Sequence, residues 1–225
     1  WQIPLVNEII GLDEVVAGDK SNAVAFENQF DAVVNMRFLT DKLISQNQLP
    51  AEDYYNIIST CVGVPASPAK FSFETEPQKI SGRDVVAIHP SASAPNRRWI
   101  NSRWDELASR LVAAGFHVIW LGTSDEHGFN AEHVSKLSDL DSDLLWQSKQ
   151  LASSRYFIGC DSGFAHIAGM LGIEGSVIFT STAAKDVICR YPSLNGVEVF
   201  ARLGVEPSRR LVADDPTATK VADSI

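Results

Sequence analysis

The chain has 225 residues, 45% of them hydrophobic, and a formal net charge of −9 at pH 7. This length and composition allow a sizeable core in one or two domains and exclude a disordered or collagen-like chain. The negative charge argues against a broad nucleic-acid or anionic-lipid surface, because such a footprint needs clustered Lys and Arg. We therefore expect a globular protein with no nucleic-acid partner, in which a single local basic site can still occur.

The cysteines and the N-terminus indicate where the protein works. Cys61, Cys160 and Cys189 are odd in number and far apart, which favours a reducing compartment and structural thiols. No stretch approaches the roughly 20 apolar residues of a membrane span, and no signal-peptide pattern is visible. We expect a cytoplasmic protein. The chain opens at Trp1 without an initiator Met, so we expect it to be cut from a longer protein.

Residues 1–80 contain few predicted elements. Strands are predicted at 14–17 and 31–35, helices at about 39–44 and 54–61, and a linker rich in Pro, Ser, Lys and Glu at 65–81. These strands are too few for a complete α/β domain. Residues 1–80 are therefore predicted to form a partial N-terminal α/β domain.

From Val85 onward, short apolar runs alternate with helical patterns. The predicted strands are 85–88, 116–121, 156–159 and 176–179, and the predicted helices are 102–114, 144–152 and 163–171, with a polar helix or loop at 126–140. Gly115 and Gly172 end the first and last of these helices. Strands alternating with helices predict βαβ units around a parallel sheet. The expected fold class is α/β, and residues 81–225 are expected to form one doubly wound domain.

In a sheet of this kind, ligands bind beyond the carboxyl ends of the strands. The four loops at these ends are 89–91, 122–123, 159–161 and 179–181. We expect them to line one crevice, and candidate functional residues are sought there.

The sequence Asp161-Ser162-Gly163-Phe164-Ala165-His166 joins an apolar strand directly to a helix. The free N–H groups of a helix start favour an anion such as a diphosphate, and Gly163 lets the anion approach the backbone. His166 lies one turn in, where it would face the same crevice. The alternative is that Asp161 or Ser162 is a plain N-cap and His166 a core histidine.

A loop of small residues, 89–99, follows the first strand and ends in Arg97-Arg98-Trp99. Its hydroxyls and N–H groups could bind phosphate, and a guanidinium can bind phosphate through two hydrogen bonds. The alternative is a solvated turn.

A metal-site interpretation competes with these two motifs. The segment Asp139-Leu140-Asp141-Ser142-Asp143 contains an Asp-x-Asp pattern, which can bind a metal ion that holds a nucleotide diphosphate. It follows a polar stretch and no apolar strand, so a loop with a helix N-cap is favoured.

Together, three segments resemble glycosyltransferase family 9, the ADP-heptose:lipopolysaccharide heptosyltransferases. They are the loop ending in Arg97-Arg98-Trp99, the segment Leu121-Gly122-Thr123-Ser124-Asp125-Glu126, and Asp161-Ser162-Gly163-Phe164-Ala165-His166. The resemblance covers about residues 84–192 well and 1–80 loosely. It implies a GT-B-like architecture of two Rossmann-like domains, in which 81–225 hold the nucleotide sugar and 1–80 are part of the acceptor side. It also implies that no metal or other cofactor is needed.

The resemblance also implies roles for particular residues. Arg97 would stabilise the leaving diphosphate in place of the family's usual Lys, Ser93 would contact the diphosphate, and Glu126 would contact the nucleoside. The helix start would anchor the donor, through Asp161, Ser162, Gly163 and His166. Ile100 stands where Pro is usual, and this departure together with Arg97 is compatible with a different donor.

The expected function is transfer of a heptose-like sugar from a nucleotide diphosphate donor, such as ADP-heptose, to a lipopolysaccharide core or related glycan. The catalytic base is unknown and is expected in a segment before Trp1, so the 225-residue chain is expected to turn over donor poorly. The alternatives are a nucleotide-sugar-binding module without turnover and a sugar-nucleotide epimerase. Peripheral membrane association and homo-oligomer formation through an exposed N-terminal sheet edge are further expectations.

Overall fold

The structure is a computed structural model that describes residues 73, 82–141, 143–181, 184, 187–188 and 191–199. All of them belong to a unit that spans Ala69–Ile225. The elements predicted in residues 1–80 lie outside the described residues, as does the predicted linker apart from Phe73. The division of the chain at residue 80 therefore stays a prediction.

A six-stranded sheet forms the centre of the described domain. Its strands are β1 (Val85–His89), β2 (His117–Trp120), β3 (Val134–Lys136), β4 (Tyr156–Cys160), β5 (Gly175–Phe179) and β6 (Leu194–Glu198). Every pairing is parallel, and the order is β3-β2-β1-β4-β5-β6. All residues of β1, β2, β4 and β5 are buried, because helices cover both faces of such a sheet. The predicted α/β class and its four strands are confirmed.

Three α-helices connect the strands, α1 (Asn101–Ala113), α2 (Leu144–Ala152) and α3 (Gly163–Leu171). Short 3₁₀ turns lie at Pro95–Arg97 and Leu137–Asp139. The predicted helix bounds are confirmed to within one residue. Gly172 has a φ of 72° and closes α3 in the left-handed conformation, which glycine adopts without steric cost.

The helix and strand positions of Trp99, Trp104, Trp120 and Trp146 predict core packing for all four. The prediction is confirmed for the first three, whereas Trp146 is half-buried. Trp99, Trp104 and Trp120 are at most 2% exposed, and the first two rings meet edge to face at 5.1 Å between centroids. On α1, Trp104 shares its buried face with Leu107 and Leu111, at the spacing that aligns side chains on one side of a helix. This packing fixes the far end of the 89–99 loop, because Trp99 ends that loop.

Two strands were absent from the predicted elements. Residues 126–140 contain β3 in addition to a turn, so the prediction of a polar helix or loop there was incomplete. The strand β6 lies at the opposite edge of the sheet. Among the described residues, no helix is long and apolar enough to cross a membrane.

The strand order creates a crevice between β1 and β4. From β1 the chain proceeds outward to β2 and β3, whereas from β4 it proceeds the other way to β5 and β6. The connections that follow β1 and β4 therefore run to opposite sides of the sheet and leave a crevice at the carboxyl ends of these two strands. This is the topological switch point where doubly wound sheets bind ligands.

Candidate functional site

The loops after β1, β4 and β5 converge at the switch point. His89 is in register with Gly159, so the segments that follow these two residues start side by side. Nη1 of Arg97 then lies 3.5 Å from Oδ2 of Asp161. Thr180, after β5, donates its hydroxyl to the carbonyl oxygen of Asn96 at 2.6 Å. The predicted convergence of these loops is confirmed.

The start of α3 is open toward this crevice. Ser162 occupies the N-cap position, but its side chain makes no capping hydrogen bond; its Oγ lies 2.9 Å from Nδ1 of His89. Gly163 is exposed, and no atom among the described residues lies within 4 Å of where its Cβ would be. The first N–H groups of a helix have no partner within it, so a small anion can reach them. Ser162 is therefore the N-cap by position but does not cap the helix through its side chain.

Arg97 and Asp161 form a partly buried ion pair beside this helix start. The Asp161 side chain is 6% exposed, whereas that of Arg97 is 40% exposed, so the carboxylate holds a guanidinium whose outer part faces solvent. Nε of Arg98 donates to the carbonyl oxygen of Ala92 at 2.7 Å and closes the loop. Ser93, the predicted diphosphate contact, is exposed on the same loop.

Glu126 lies on the turn after β2, at the other side of His89. Its Oε2 accepts a hydrogen bond from the N–H of Thr123 at 3.4 Å and lies 3.8 Å from Nε2 of His89. The fourth predicted loop therefore also reaches the site. One imidazole stands between the residue predicted to contact the nucleoside and the helix start predicted to hold the diphosphate.

His89 was not among the predicted site residues. It is 7% exposed, its ring contacts that of Phe164 with 4.7 Å between centroids, and burial lowers its pKa to about 3. The imidazole is therefore neutral near pH 7. The available signal was its position as the polar last residue of a buried strand at the switch point.

His166 lies one turn into α3 and is half-buried. Its Nδ1 is 3.3 Å from the hydroxyl of Tyr191, and a side chain at Gly169 would overlap the Tyr191 ring. Burial lowers the pKa of His166, while the nearby Asp161 carboxylate opposes that shift. The contact of His166 with Tyr191, just before β6, was not predicted.

The acidic run before α2 caps that helix. Oδ1 of Asp143 accepts from the N–H of Trp146 at 2.8 Å, and Oδ1 of Asp141 accepts from the N–H of Asp143 at 2.9 Å. These bonds confirm the loop-and-cap interpretation. In the part of the chain that the structure describes, no three His, Cys, Asp or Glu side chains are grouped to hold a metal ion.

Cys160 is buried at the end of β4, and burial raises the pKa of its thiol to about 12. Its Sγ donates to the carbonyl oxygen of Pro90 at 3.2 Å. The prediction of a structural thiol is confirmed for this residue. Cys61 and Cys189 lie outside the described residues.

Comparisons with known proteins give a family match and several similar folds. The sequence model of "Glycosyltransferase family 9 (heptosyltransferase)" matches residues 19–187. A solved structure of E. coli ADP-heptose lipopolysaccharide heptosyltransferase II is 20% identical, with a TM-score of 0.53 over 64% of this chain and 45% of the other. E. coli heptosyltransferase WaaC with ADP is 15% identical, with a TM-score of 0.56 over 77% of this chain and 54% of the other.

A third similar structure, WaaC with ADP-2-deoxy-2-fluoro heptose, is 16% identical, with a TM-score of 0.54 over 77% of this chain and 54% of the other. The chain spans about half the length of these solved structures. At such identities the likeness shows the fold alone, and it confirms the expected GT-B-like α/β class. No curated protein matched the sequence.

Proposed function

Since this chain belongs to glycosyltransferase family 9, the heptosyltransferase family, we propose that it serves in transferring a heptose-like sugar from a nucleotide diphosphate donor to a glycan acceptor. The observation that carries the proposal is the placement of Arg97 beside the open start of α3 at the switch point. Both features attract a diphosphate.

The diphosphate half of the donor would bind between the β1 and β4 loops. The N–H groups at the start of α3, around Gly163, would donate hydrogen bonds to one phosphate, and the Arg97 guanidinium, held by Asp161, would bind the other with its remaining N–H donors. Ser93 and the Ser162 hydroxyl would add contacts from either side. Positive charge and helix-start N–H groups stabilise the negative charge that develops on a departing diphosphate.

The nucleoside half would extend toward Glu126. A carboxylate accepts hydrogen bonds from ribose hydroxyls, and Oε2 of Glu126 lies on the same side of the crevice as the end of β2. Two of the similar structures contain ADP or a fluorinated ADP-heptose. On that basis we propose an ADP-linked heptose as the donor, with His166 as a further contact on the diphosphate side.

Sugar transfer breaks the bond between the anomeric carbon and the diphosphate and forms a new bond to an acceptor oxygen, whose proton passes to a base. We assign leaving-group stabilisation to Arg97 and the α3 start, with no metal ion or other cofactor. No described residue is assigned as the base. A transfer assay in the presence of EDTA tests the metal assignment, since it should proceed at the rate seen without chelator.

The rest of the proposal concerns the acceptor and the setting. A lipopolysaccharide core or related glycan is proposed as the acceptor, bound on the side of residues 1–80, and residues 81–225 as the donor domain. The proposed location is the cytoplasm, at the inner face of the inner membrane, with peripheral association there. Homo-oligomer formation through the N-terminal part is a further proposal.

Calorimetry and product analysis together test the proposed function. The 225-residue chain is titrated with ADP, GDP and UDP, and is then incubated with ADP-heptose with and without a lipopolysaccharide core acceptor. Selective ADP binding with heptose appearing on the acceptor supports the proposal. Because the 225-residue chain is expected to turn over donor poorly, slow transfer of heptose still supports the proposal. ADP binding with no transfer at all favours the binding module, an altered sugar without acceptor favours the epimerase, and no nucleotide binding contradicts all three.

A further inference from the structure

A buried amide of α2 holds the turn on which Glu126 lies. Gln147 is 1% exposed. Its Oε1 accepts from the N–H of Gly122 at 2.9 Å, and its Nε2 donates to the carbonyl oxygen of Gly122 at 2.8 Å. One side chain thus pairs with both backbone groups of Gly122, as a neighbouring strand would.

The turn is shaped around the Glu126 carboxylate. Gly122 has a φ of 138°, and a side-chain carbon there would overlap Oε2 of Glu126. The N–H of Glu126 donates back to the carbonyl oxygen of Thr123 at 3.1 Å, while the N–H of Thr123 donates to the carboxylate. The position of the carboxylate therefore depends on the backbone path at Gly122.

Gln147 ties this turn to the rest of the domain. The N–H of Leu121 donates to the carbonyl oxygen of Ile88 at 2.8 Å. The chain that follows β2 therefore stays paired with β1 up to Leu121, and this pairing ends directly before Gly122. Nε2 of Gln147 also donates to the carbonyl oxygen of Asp141 at 3.1 Å, in the loop before α2. Removing a buried amide with three such bonds leaves backbone groups unpaired, which costs more than the bonds contribute on average.

We propose that Gln147 is a positioning residue that sets the affinity of the site for the nucleoside half of the donor, acting through Glu126. The inference rests on the proposed function, because it takes Glu126 as the nucleoside contact. Gln147 holds the turn after β2 and the loop before α2, whereas the diphosphate would bind at Arg97 and the start of α3. Its loss should therefore weaken a ligand that carries a nucleoside and spare inorganic pyrophosphate.

The test is calorimetry on the full 225-residue chain with ADP and with inorganic pyrophosphate. Gln147→Met keeps the side-chain volume and removes all three hydrogen bonds. Gln150→Met is the matched control, because Gln150 is buried on the same helix and its Oε1 bonds no residue that the structure describes. We expect Gln147→Met to bind ADP about tenfold more weakly, a change of about 1.4 kcal/mol, with pyrophosphate affinity unchanged. Gln150→Met should match the wild type for both ligands.

A double-mutant cycle tests whether Gln147 acts through Glu126. Adding Gln147→Met to Glu126→Ala should weaken ADP binding no further than Glu126→Ala alone, because the two residues then share one effect. If Gln147→Met does not fold, Gln147→Glu, which retains the acceptor for Gly122, replaces it. Equal losses for ADP and pyrophosphate, additive effects in the cycle, or unchanged ADP affinity in a folded variant would overturn the inference. A wild-type chain that binds neither ligand would instead contradict the proposed function itself.

Discussion

Nδ1 of His89 and Oγ of Ser162 lie 2.9 Å apart, although 73 positions separate the two residues. The contact joins the last residue of β1 to the N-cap of α3, and so links the two strands that flank the switch point. The same imidazole lies 3.8 Å from Glu126 through its Nε2. A neutral, buried histidine can therefore hold the two halves of the proposed donor site in register.

Removing the carboxylate beside the helix start is expected to weaken nucleotide binding. Asp161 is buried and contacts Arg97, so Asp161→Ala should release the guanidinium and lower ADP affinity about tenfold, the effect of one charged hydrogen bond. His166→Ala should also lower it. Circular dichroism should show both variants folded. The control is Asp84→Ala, whose exposed ion pair with Arg155 lies at the amino end of the sheet. Unchanged ADP affinity in both site variants would return these residues to packing roles.

Arg97 is expected to act through both its charge and its shape. Arg97→Met should reduce ADP affinity and the transfer rate about a hundredfold, within the range for losing one preorganised donor to the leaving group. Arg97→Lys should recover part of the loss, because it keeps the charge but not the paired donors. Steady-state kinetics with ADP-heptose measure both effects. Arg155→Met, at the opposite end of β4, should behave as the wild type, and an equal loss in that variant would mean that only net charge matters.

The buried state of His89 predicts a dependence of stability on pH. Its pKa is about 3 in the folded chain and 6.5 unperturbed, so at intermediate pH the unfolded chain binds a proton that the folded chain does not. The free energy of unfolding should therefore fall as the pH drops from 6.5 toward 3, by up to about 1.4 kcal/mol per pH unit from this group.

Urea unfolding at pH 7.0, 5.5 and 4.5 measures this slope. His89→Asn should show a shallower decline than the wild type. Ser162→Ala should keep the full decline, because burial and not the hydrogen bond lowers the His89 pKa. Identical slopes for His89→Asn and the wild type would show that His89 is protonated at a higher pH than its burial implies.

Alanine variants of two glycines with positive φ distinguish the effect of backbone strain on stability from an effect on ADP binding. Gly122 and Gly115 have φ values of 138° and 98°, but only a side chain at Gly122 would overlap Glu126. Both Ala variants should lose stability, by about 1 kcal/mol or more from backbone strain. Gly122→Ala alone should also lose ADP affinity. Calorimetry paired with thermal unfolding distinguishes the two, and an equal ADP loss in Gly115→Ala would contradict the role given to the turn.

The sequence was sufficient to predict the central strands and the helices because their patterns are strong. The run Val85–Ile88 is continuously apolar and fully internal, and α1 places Trp104, Leu107 and Leu111 on one face. By contrast, β3 has three half-buried residues of which only Val134 is apolar. In β6, Asn195 and Gly196 interrupt any alternation. Such edge strands form because the neighbouring strand offers hydrogen-bond partners, and the pattern of apolar residues in the sequence does not predict this pairing.

The site residues that lie in loops at strand ends could be predicted from the sequence. Those whose role depends on contacts with residues far away in the sequence could not. The strand ends predicted the convergence of Arg97, Glu126 and Asp161. His89 and Gln147 were not predicted, because the role of a buried polar residue depends on its hydrogen-bond partners. The partner of His89 lies 73 positions away and that of Gln147 lies 25 positions away. The ligand contacts of all the assigned residues stay predictions, namely those of Ser93, Arg97, Glu126, Asp161, Ser162, Gly163 and His166.

A crystal structure of the chain with ADP tests the central claim most directly, namely that the nucleotide diphosphate binds at the switch point between β1 and β4. We predict that the diphosphate oxygens lie within hydrogen-bond distance of the N–H groups at Gly163 and of the Arg97 guanidinium, with the ribose hydroxyls at Glu126. ADP bound away from the β1 and β4 loops, or reversed with its ribose at the α3 start, would contradict the account.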